Sequence, residues 1–378
     1  MPVLDDLLRL MVQKNGSDLY LTVGAPPAIK IDGRMVPVGE EALRPGQSLG
    51  LAKEILGLER LQEFQQEKEV NLALSIAGVG RFRVNGFFQR NEISFVIRSI
   101  KTQIPTLDQL RMPPILKELA QTSRGLVLFV GATGSGKSTS LAAMIQYRNS
   151  VSAGHILTIE DPIEYLHKNI KSIVNQREVG IDTQSYENAL ENALREAPDV
   201  ILIGEVRSRD TMEHAVAYAE TGHLCLSTLH ANNANQAVER IINFFPEERK
   251  RQVLMDLSLN LRAVVSQRLL PLKGQAGRVA AMEVLINTPT VADLIYRGEV
   301  GLLKDAMARP NDVGMQTFDQ SLVKLFIDGL ISYEDAIRGA DSQNDLRLAI
   351  KMECMRRGIE DPGSQKESAT AWRIGGAN

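Results

Sequence analysis

The chain has 378 residues, enough at about 150 per domain for two or three domains. Its 44% hydrophobic and 24% charged residues are ordinary globular composition and exclude global disorder. A formal net charge of -3 gives no electrostatic footprint for nucleic acid, so no nucleic-acid partner is expected, and the only cysteines, Cys225 and Cys354, cannot build a disulfide framework or a cysteine-rich zinc site.

Residues 1–100 read as an α+β module. Val3, Leu7, Leu8, Leu10 and Met11 space as an amphipathic opening helix. Short β-branched or aromatic runs follow at 18–23, 28–31, 34–38, 81–88 and 93–98, interrupted by a helix between Leu49 and Lys68. Residues 101–124 carry Pro105, Pro113 and Pro114 around a short helical pattern and read as a connector. From Gly125 apolar strands at 126–130, 155–159, 200–203 and 224–229 alternate with helical segments, which predicts an α/β domain over 125–356 with a largely parallel sheet. After about Thr290 the pattern is helical, with helices expected at 315–330 and 333–339. The last stretch, 357–378, is polar around a lone Trp372 and is expected to be mobile. The longest nearly apolar stretch, Gly125 to Ala132, falls well short of the roughly 20 residues a bilayer requires, so a cytoplasmic, reducing location is expected.

The chemistry is concentrated in four places. Gly131-Ala-Thr133-Gly134-Ser135-Gly136-Lys137-Ser138 satisfies the G-x-x-x-x-G-K-[ST] pattern between an apolar strand and the helical run that opens at Thr139. Its glycines let the main chain wrap phosphate oxygens, Lys137 reaches the β- and γ-phosphates, and Ser138 offers a hydroxyl to magnesium. Val200 to Gly204 is an apolar strand followed by Glu205, which would stand beside magnesium or the attacking water. Glu160, Asp161 and Glu164 follow another strand and could hold magnesium through water and supply a base, with Glu164 preferred although periodicity does not separate it from Glu160. His223 and His230 bracket the strand at 224–229, where each could hydrogen-bond phosphate or relay its state to a neighbouring subunit. Arginines stand nearby at 124, 195, 207 and 209, and Arg81, Arg83 and Arg98 lie on strands of the first module.

Together, the run Leu194-Arg195-Glu-Ala-Pro198-Asp199 through Gly204-Glu205-Val-Arg207, the acidic box from Ile159 to Glu164 and the box from Glu220 to His230 resemble the secretion ATPases of type II secretion and type IV pili. The likeness is closest to their retraction branch. It implies a PAS-like α+β N-terminal domain, then a RecA-like P-loop ATPase domain with a helical C-terminal part, ATP with magnesium bound between the domains, and a homohexameric ring. Carried onto this sequence it makes Lys137 and Ser138 the phosphate and magnesium residues, Glu164 the base and Glu205 the second carboxylate, able to reach magnesium through water. It makes His223 and His230 the histidine-box pair, with His230 among the catalytic residues, and Arg83 and Arg98 phosphate-facing arginines. It further implies an inner-membrane platform protein and a paralogous PilT-like ATPase as partners. Val291 to Arg297, Val-Ala-Asp-Leu-Ile-Tyr-Arg, stands where the branch carries Ala-Ile-Arg-Asn-Leu-Ile-Arg. The resemblance implies an ATP-hydrolysing motor subunit for type IV pilus retraction, and that departure keeps a nucleotide-binding adaptor in view beside it, with a pilus-extension or secretion ATPase as a further alternative.

Overall fold

The computed structural model describes residues 4–309 and 313–359. Val3, Trp372 and all of 360–378 lie outside the described residues. No helix among the described residues is long and apolar enough to cross a membrane. The fold is α/β with mixed sheets and helices, and the chain divides into two compact units. The first comprises residues 1–103, 162–167 and 177–185, and the second the remainder.

In the first unit, α1 (Leu4–Gln13) precedes β1 (Asp18–Leu21), β2 (Ala28–Ile31) and β3 (Arg34–Pro37). Then come α2 (Gln47–Glu67), β4 (Glu69–Ile76), β5 (Gly80–Gln89) and β6 (Glu92–Ser99). The strands form a six-stranded sheet in the order β3-β2-β1-β6-β5-β4. Leu4, Leu7, Leu8 and Met11 of α1, with Phe64 of α2, bury into the core over Phe82, Val84, Phe95 and Ile97. Strand β4, which sequence patterning misses, pairs along its whole length with β5. Its Glu-Val-Asn-Leu-Ala-Leu-Ser-Ile alternation buries only Leu72 fully, so its β identity comes from its partner.

The second unit begins with α3 (Ile115–Gln121), whose Leu116, Leu119 and Ala120 join Leu107 in that unit's core. The succession is then β7 (Gly125–Val130), α4 (Lys137–Val151), β8 (Gly154–Glu160), β9 (Ser172–Glu178, of which 177 and 178 are grouped with the first unit), α5 (Tyr186–Ala193), β10 (Val200–Ile203), α6 (Arg209–Glu220) and β11 (Leu224–Leu229). Beyond these lie α7 (Ala234–Asn243), α8 (Glu247–Asn260), β12 (Leu261–Pro271), β13 (Arg278–Ile286), α9 (Pro289–Arg297) and α10 (Leu303–Ala308). Helices α11 (Phe318–Ile327), α12 (Tyr333–Gly339) and α13 (Gln343–Arg357) close the described part.

The seven-stranded sheet runs β13-β12-β7-β11-β10-β8-β9. Pairs β12–β7, β7–β11, β11–β10 and β10–β8 are parallel, while β13 is antiparallel to β12. The central strands β7, β10 and β11 are buried at every position, as continuous apolar runs covered on both faces must be. The helix expected at 315–330 is shorter: Thr317 and Gln320 form a capping box that starts α11 at Phe318, and Gln316 instead bridges to Val284.

Candidate nucleotide site

Because β7, β11, β10 and β8 are parallel neighbours, their C-terminal ends open along one edge of the sheet, where open α/β sheets bind ligands. Onto that edge β7 delivers the glycine loop, β11 delivers His230, β10 delivers Glu205 and β8 ends at Glu160. At a strand spacing of about 4.8 Å the loop and Glu205 are roughly 10 Å apart, with His230 on the strand between them.

The loop Gly131–Gly136 is shaped by residues only glycine can supply. Gly134 and Gly136 take φ of 78° and 91°. A Cβ at Gly131 would meet the Gln267 carbonyl oxygen at 2.6 Å, and one at Gly136 would meet Gln267 Nε2 at 2.7 Å. Lys137 is buried, and its Nζ donates to the carbonyls of Gly131 (2.8 Å) and Ala132 (3.0 Å), so the cation lies curled against its own loop. Ser135 Oγ is buried without a hydrogen-bond partner, and a Cβ at Gly134 would meet nothing within 4 Å. An orphaned hydroxyl, an open glycine and the amides that begin α4 fit a phosphate group. Thr133, Ser138 and Thr139 sit in the same loop and first helical turn.

Glu205 is held on both oxygens. Arg207 Nε donates to Oε2 at 2.7 Å and His230 Nε2 lies 3.0 Å from Oε1. Arg207 also lies 3.7 Å from Asp161, and its attachment to Glu205 raises its pKa further above the ordinary arginine value. Thr228 Oγ1 donates to the Gly204 carbonyl at 2.7 Å and Ser227 Oγ to that of Ile203 at 2.7 Å, so β11 staples the turn that presents Glu205. Space at Gly204 is tight: a Cβ there would lie 3.0 Å from Tyr186 Oη and 3.2 Å from Glu160 Cα. Burial first, then Asp161, push the Tyr186 phenol pKa up, so it stays protonated beside these acids. Glu160 accepts from Thr158 Oγ1 at 2.7 Å and Gln176 Nε2 at 3.2 Å. Among the described residues no group of three or more His, Cys, Asp or Glu could hold a metal by itself. A hydroxyl such as Ser138 and a carboxylate such as Glu205 nevertheless suit magnesium, which takes one or two protein ligands beside substrate phosphates.

His223 is not on this edge. It precedes β11, its carbonyl accepts from Gly125 N at 3.0 Å, and its Nδ1 meets Thr221 Oγ1 at 3.1 Å. The intervening strand separates it from His230 by about 20 Å. Arg195 bonds Asn192 at 2.9 Å and Arg209 pairs with Glu213 at 2.9 Å, which leaves Arg207 as the arginine on Glu205.

Glu164 is grouped with the first unit, together with Arg83 and Arg98. Asp18, Arg98 and Arg83 are directly opposite one another across β1, β6 and β5, hence on one face of that sheet. Arg98 Nε donates to Asp18 at 2.6 Å. Arg83, Arg98, Lys101 and Glu164 line one cleft of about 380 Å³. The acidic-box segment is pinned there: Leu166 N donates to the Lys101 carbonyl at 3.0 Å and Ile163 N to Glu178 Oε2 at 3.2 Å. Glu178 was not among the residues singled out by sequence. It is buried, its Oε1 lies 3.9 Å from Arg83, and desolvation raises its pKa above the ordinary glutamate value despite the Ile163 amide and both Arg83 and Arg81.

The glycine loop, the carboxylate two strands away and the strand order between them define a P-loop α/β protein. The family model for Type II/IV secretion system proteins matches residues 60–317, and the chain belongs to that family. It is 60% identical to the type IV pilus ATPase PilU of Pseudomonas aeruginosa over 92% of this chain and 91% of that protein. It is 42% identical to the pilus retraction ATPase PilT of the same organism, over 88% of this chain and 96% of that one. The crystal structure of the pilus retraction motor PilT with bound ADP matches with a TM-score of 0.84 at 41% identity, covering 91% of this chain and 99% of that one. The ATPase DotB of Legionella pneumophila matches with a TM-score of 0.75 at 27% identity, covering 88% and 93%.

Proposed function

We propose that the chain is an ATP-hydrolysing motor subunit of type IV pilus retraction. The observation that carries the enzymatic part is the single sheet edge on which the glycine loop, His230 and Glu205 are delivered by neighbouring strands. The pilus assignment is supported by the 60% identity to PilU. In this reading the first unit is PAS-like, the second RecA-like, and six copies form a ring at the cytoplasmic side of the inner membrane. The ring acts on a platform protein and alongside a PilT-like paralogue.

The loop amides and Lys137 bind the phosphates, and Lys137 exchanges its two loop carbonyls for phosphate oxygens. Ser138 and Glu205 would hold magnesium, which would supply charge neutralisation on the phosphates. His230 and Arg207 fix the Glu205 carboxylate. Glu164 is proposed as the base that takes a proton from the attacking water, and Arg83 and Arg98 as phosphate-facing arginines. Phosphate release by the purified chain with magnesium tests this. Turnover that Lys137→Ala and Glu205→Ala both abolish supports it, and turnover that survives either substitution overturns it.

One observation favours a second reading, a nucleotide-binding adaptor with little turnover of its own. Both Glu205 oxygens are already engaged by Arg207 and His230. ATP binding without phosphate release, with stimulation only in the presence of a PilT-like ATPase, would establish it.

A further inference from the structure

Gln267 is a buried polar side chain in the middle of β12, outside every motif named above. It is 2% exposed, and both ends of its amide are used. Nε2 donates to the Ser135 carbonyl at 2.8 Å, and Oε1 accepts from Ser140 Oγ at 2.7 Å. Ser140 lies in the first turn of α4, and its hydroxyl is 3.2 Å from the Gly136 carbonyl, so the shorter contact to Gln267 takes the proton. These partners fix which way the amide points, since a carbonyl needs a donor and a donating hydroxyl needs an acceptor.

We propose that Gln267 is a positioning residue for the phosphate loop, tying its Ser135 carbonyl and the first turn of α4 to β12 so that the Gly136 N–H is aimed at bound phosphate. The proposal rests on the nucleotide reading of the loop. A trans peptide holds C=O and the following N–H on opposite sides. A Ser135 carbonyl drawn to Gln267 therefore turns the Gly136 N–H away from β12, toward the loop interior. The backbone of the same residue closes the other side, since its carbonyl oxygen lies 2.6 Å from where a Gly131 Cβ would be. The loop is thus braced from a strand that follows it by more than a hundred residues, as the separation of 132 between Ser135 and Gln267 records. The neighbouring Ser266 donates to Glu283 Oε1 at 3.0 Å, and that oxygen accepts from Ala234 N at 2.7 Å. Successive residues of β12 therefore hold the phosphate loop and the helix that follows His230.

The test uses the full chain, ADP as probe, and Gln267→Glu and Gln267→Met beside Lys137→Ala, each normalised to the parent at the same pH. Ionised, the carboxylate introduced by Gln267→Glu has no donor for the Ser135 carbonyl. Protonated, its O–H can donate there while its C=O accepts from Ser140, and burial favours that form. The expected result is ADP affinity at least about tenfold weaker than the parent at pH 8.5, recovering to within about threefold at pH 5.5. Gln267→Met, similar in volume but without the donor, stays weakened at both. Parent-like binding by both Gln267 variants while Lys137→Ala loses ADP overturns the positioning role, as does an equal loss at both pH values for Gln267→Glu. Lys137→Ala binding ADP like the parent overturns the nucleotide reading instead. Hydrogen exchange without nucleotide reads the same bond independently of either: Gln267→Met speeds exchange of the 134–138 amides and leaves β7 protected. Unchanged exchange in that loop overturns the proposal even if an acidic side chain cannot fold there.

Discussion

Gly136 shows how tightly single residues are specified at the loop. It combines a φ of 91° with a missing Cβ that would sit 2.7 Å from Gln267 Nε2, so Gly136→Ala meets both backbone strain and a buried partner. A cost of about 1–3 kcal/mol and loss of ADP binding are expected, read by thermal melting and by ADP titration. Gly134→Ala meets nothing within 4 Å and pays for its φ of 78° alone, so it should melt closer to the parent. At Glu205 the expectation concerns rate. Glu205→Gln keeps the shape but removes the charge that faces Arg207 and His230, so kcat should fall about 100-fold while ADP affinity stays within about threefold. An equal loss of affinity in steady-state kinetics would make Glu205 a binding residue. Loop residues and Glu205 were legible in the sequence because their spacing is dictated locally, by the turn and by the strand each follows. Gln267 and Glu178 were not, because a single polar residue within a strand acquires its meaning from partners elsewhere in the chain: 132 positions away for Gln267, and 15 for the Ile163 amide on Glu178.

Elements were legible where their own pattern decides them. The runs at 200–203 and 224–229 coincide with β10 and β11, since buried parallel strands are continuous apolar stretches between helices. Strands β12 and β13 were missed: Leu-Arg-Ala-Val-Val-Ser-Gln-Arg-Leu-Leu-Pro has no clean alternation, and its state is settled by pairing with β7 on one side and β13 on the other. The acidic-box segment offers a test of how such tertiary anchoring responds to pH. Burial pushes the His167 imidazole pKa down to about 4, so between the ordinary value of 6.5 and about 4 the unfolded chain takes up a proton that the folded one refuses. Stability of the first unit should therefore fall as pH drops through that window, and His167→Gln should flatten the slope. Glu178 acts in the opposite sense, because its raised pKa makes the protonated form the stabilised one and its contribution is lost as pH rises through that value. Urea midpoints against pH for His167→Gln and Glu178→Gln separate the two. A parent slope that His167→Gln leaves intact would contradict the first assignment.

Across the molecule, the sequence distinguishes an α+β beginning from an α/β remainder, because short β-branched or aromatic runs give way to strands alternating with helices near Gly125. It did not foresee that residues 162–167 and 177–185 group with the first unit, since that grouping depends on the bridge of Tyr165 to Lys101 and on the buried Glu178 rather than on local pattern. A ring whose subunits fire in coordination should be poisoned by inactive members, so phosphate release from parent chain mixed with Glu205→Gln should fall more steeply than the parent fraction. At equal proportions, six coordinated subunits that each had to be intact would leave only about 2% of the activity, whereas independent protomers would leave about half. Subunit exchange before assay, followed by the mass of the mixed species, keeps the comparison on true mixtures. A strictly linear decline in exchanged rings would mean that each chain turns over ATP without reference to its neighbours, and would remove coordinated firing from the proposed motor.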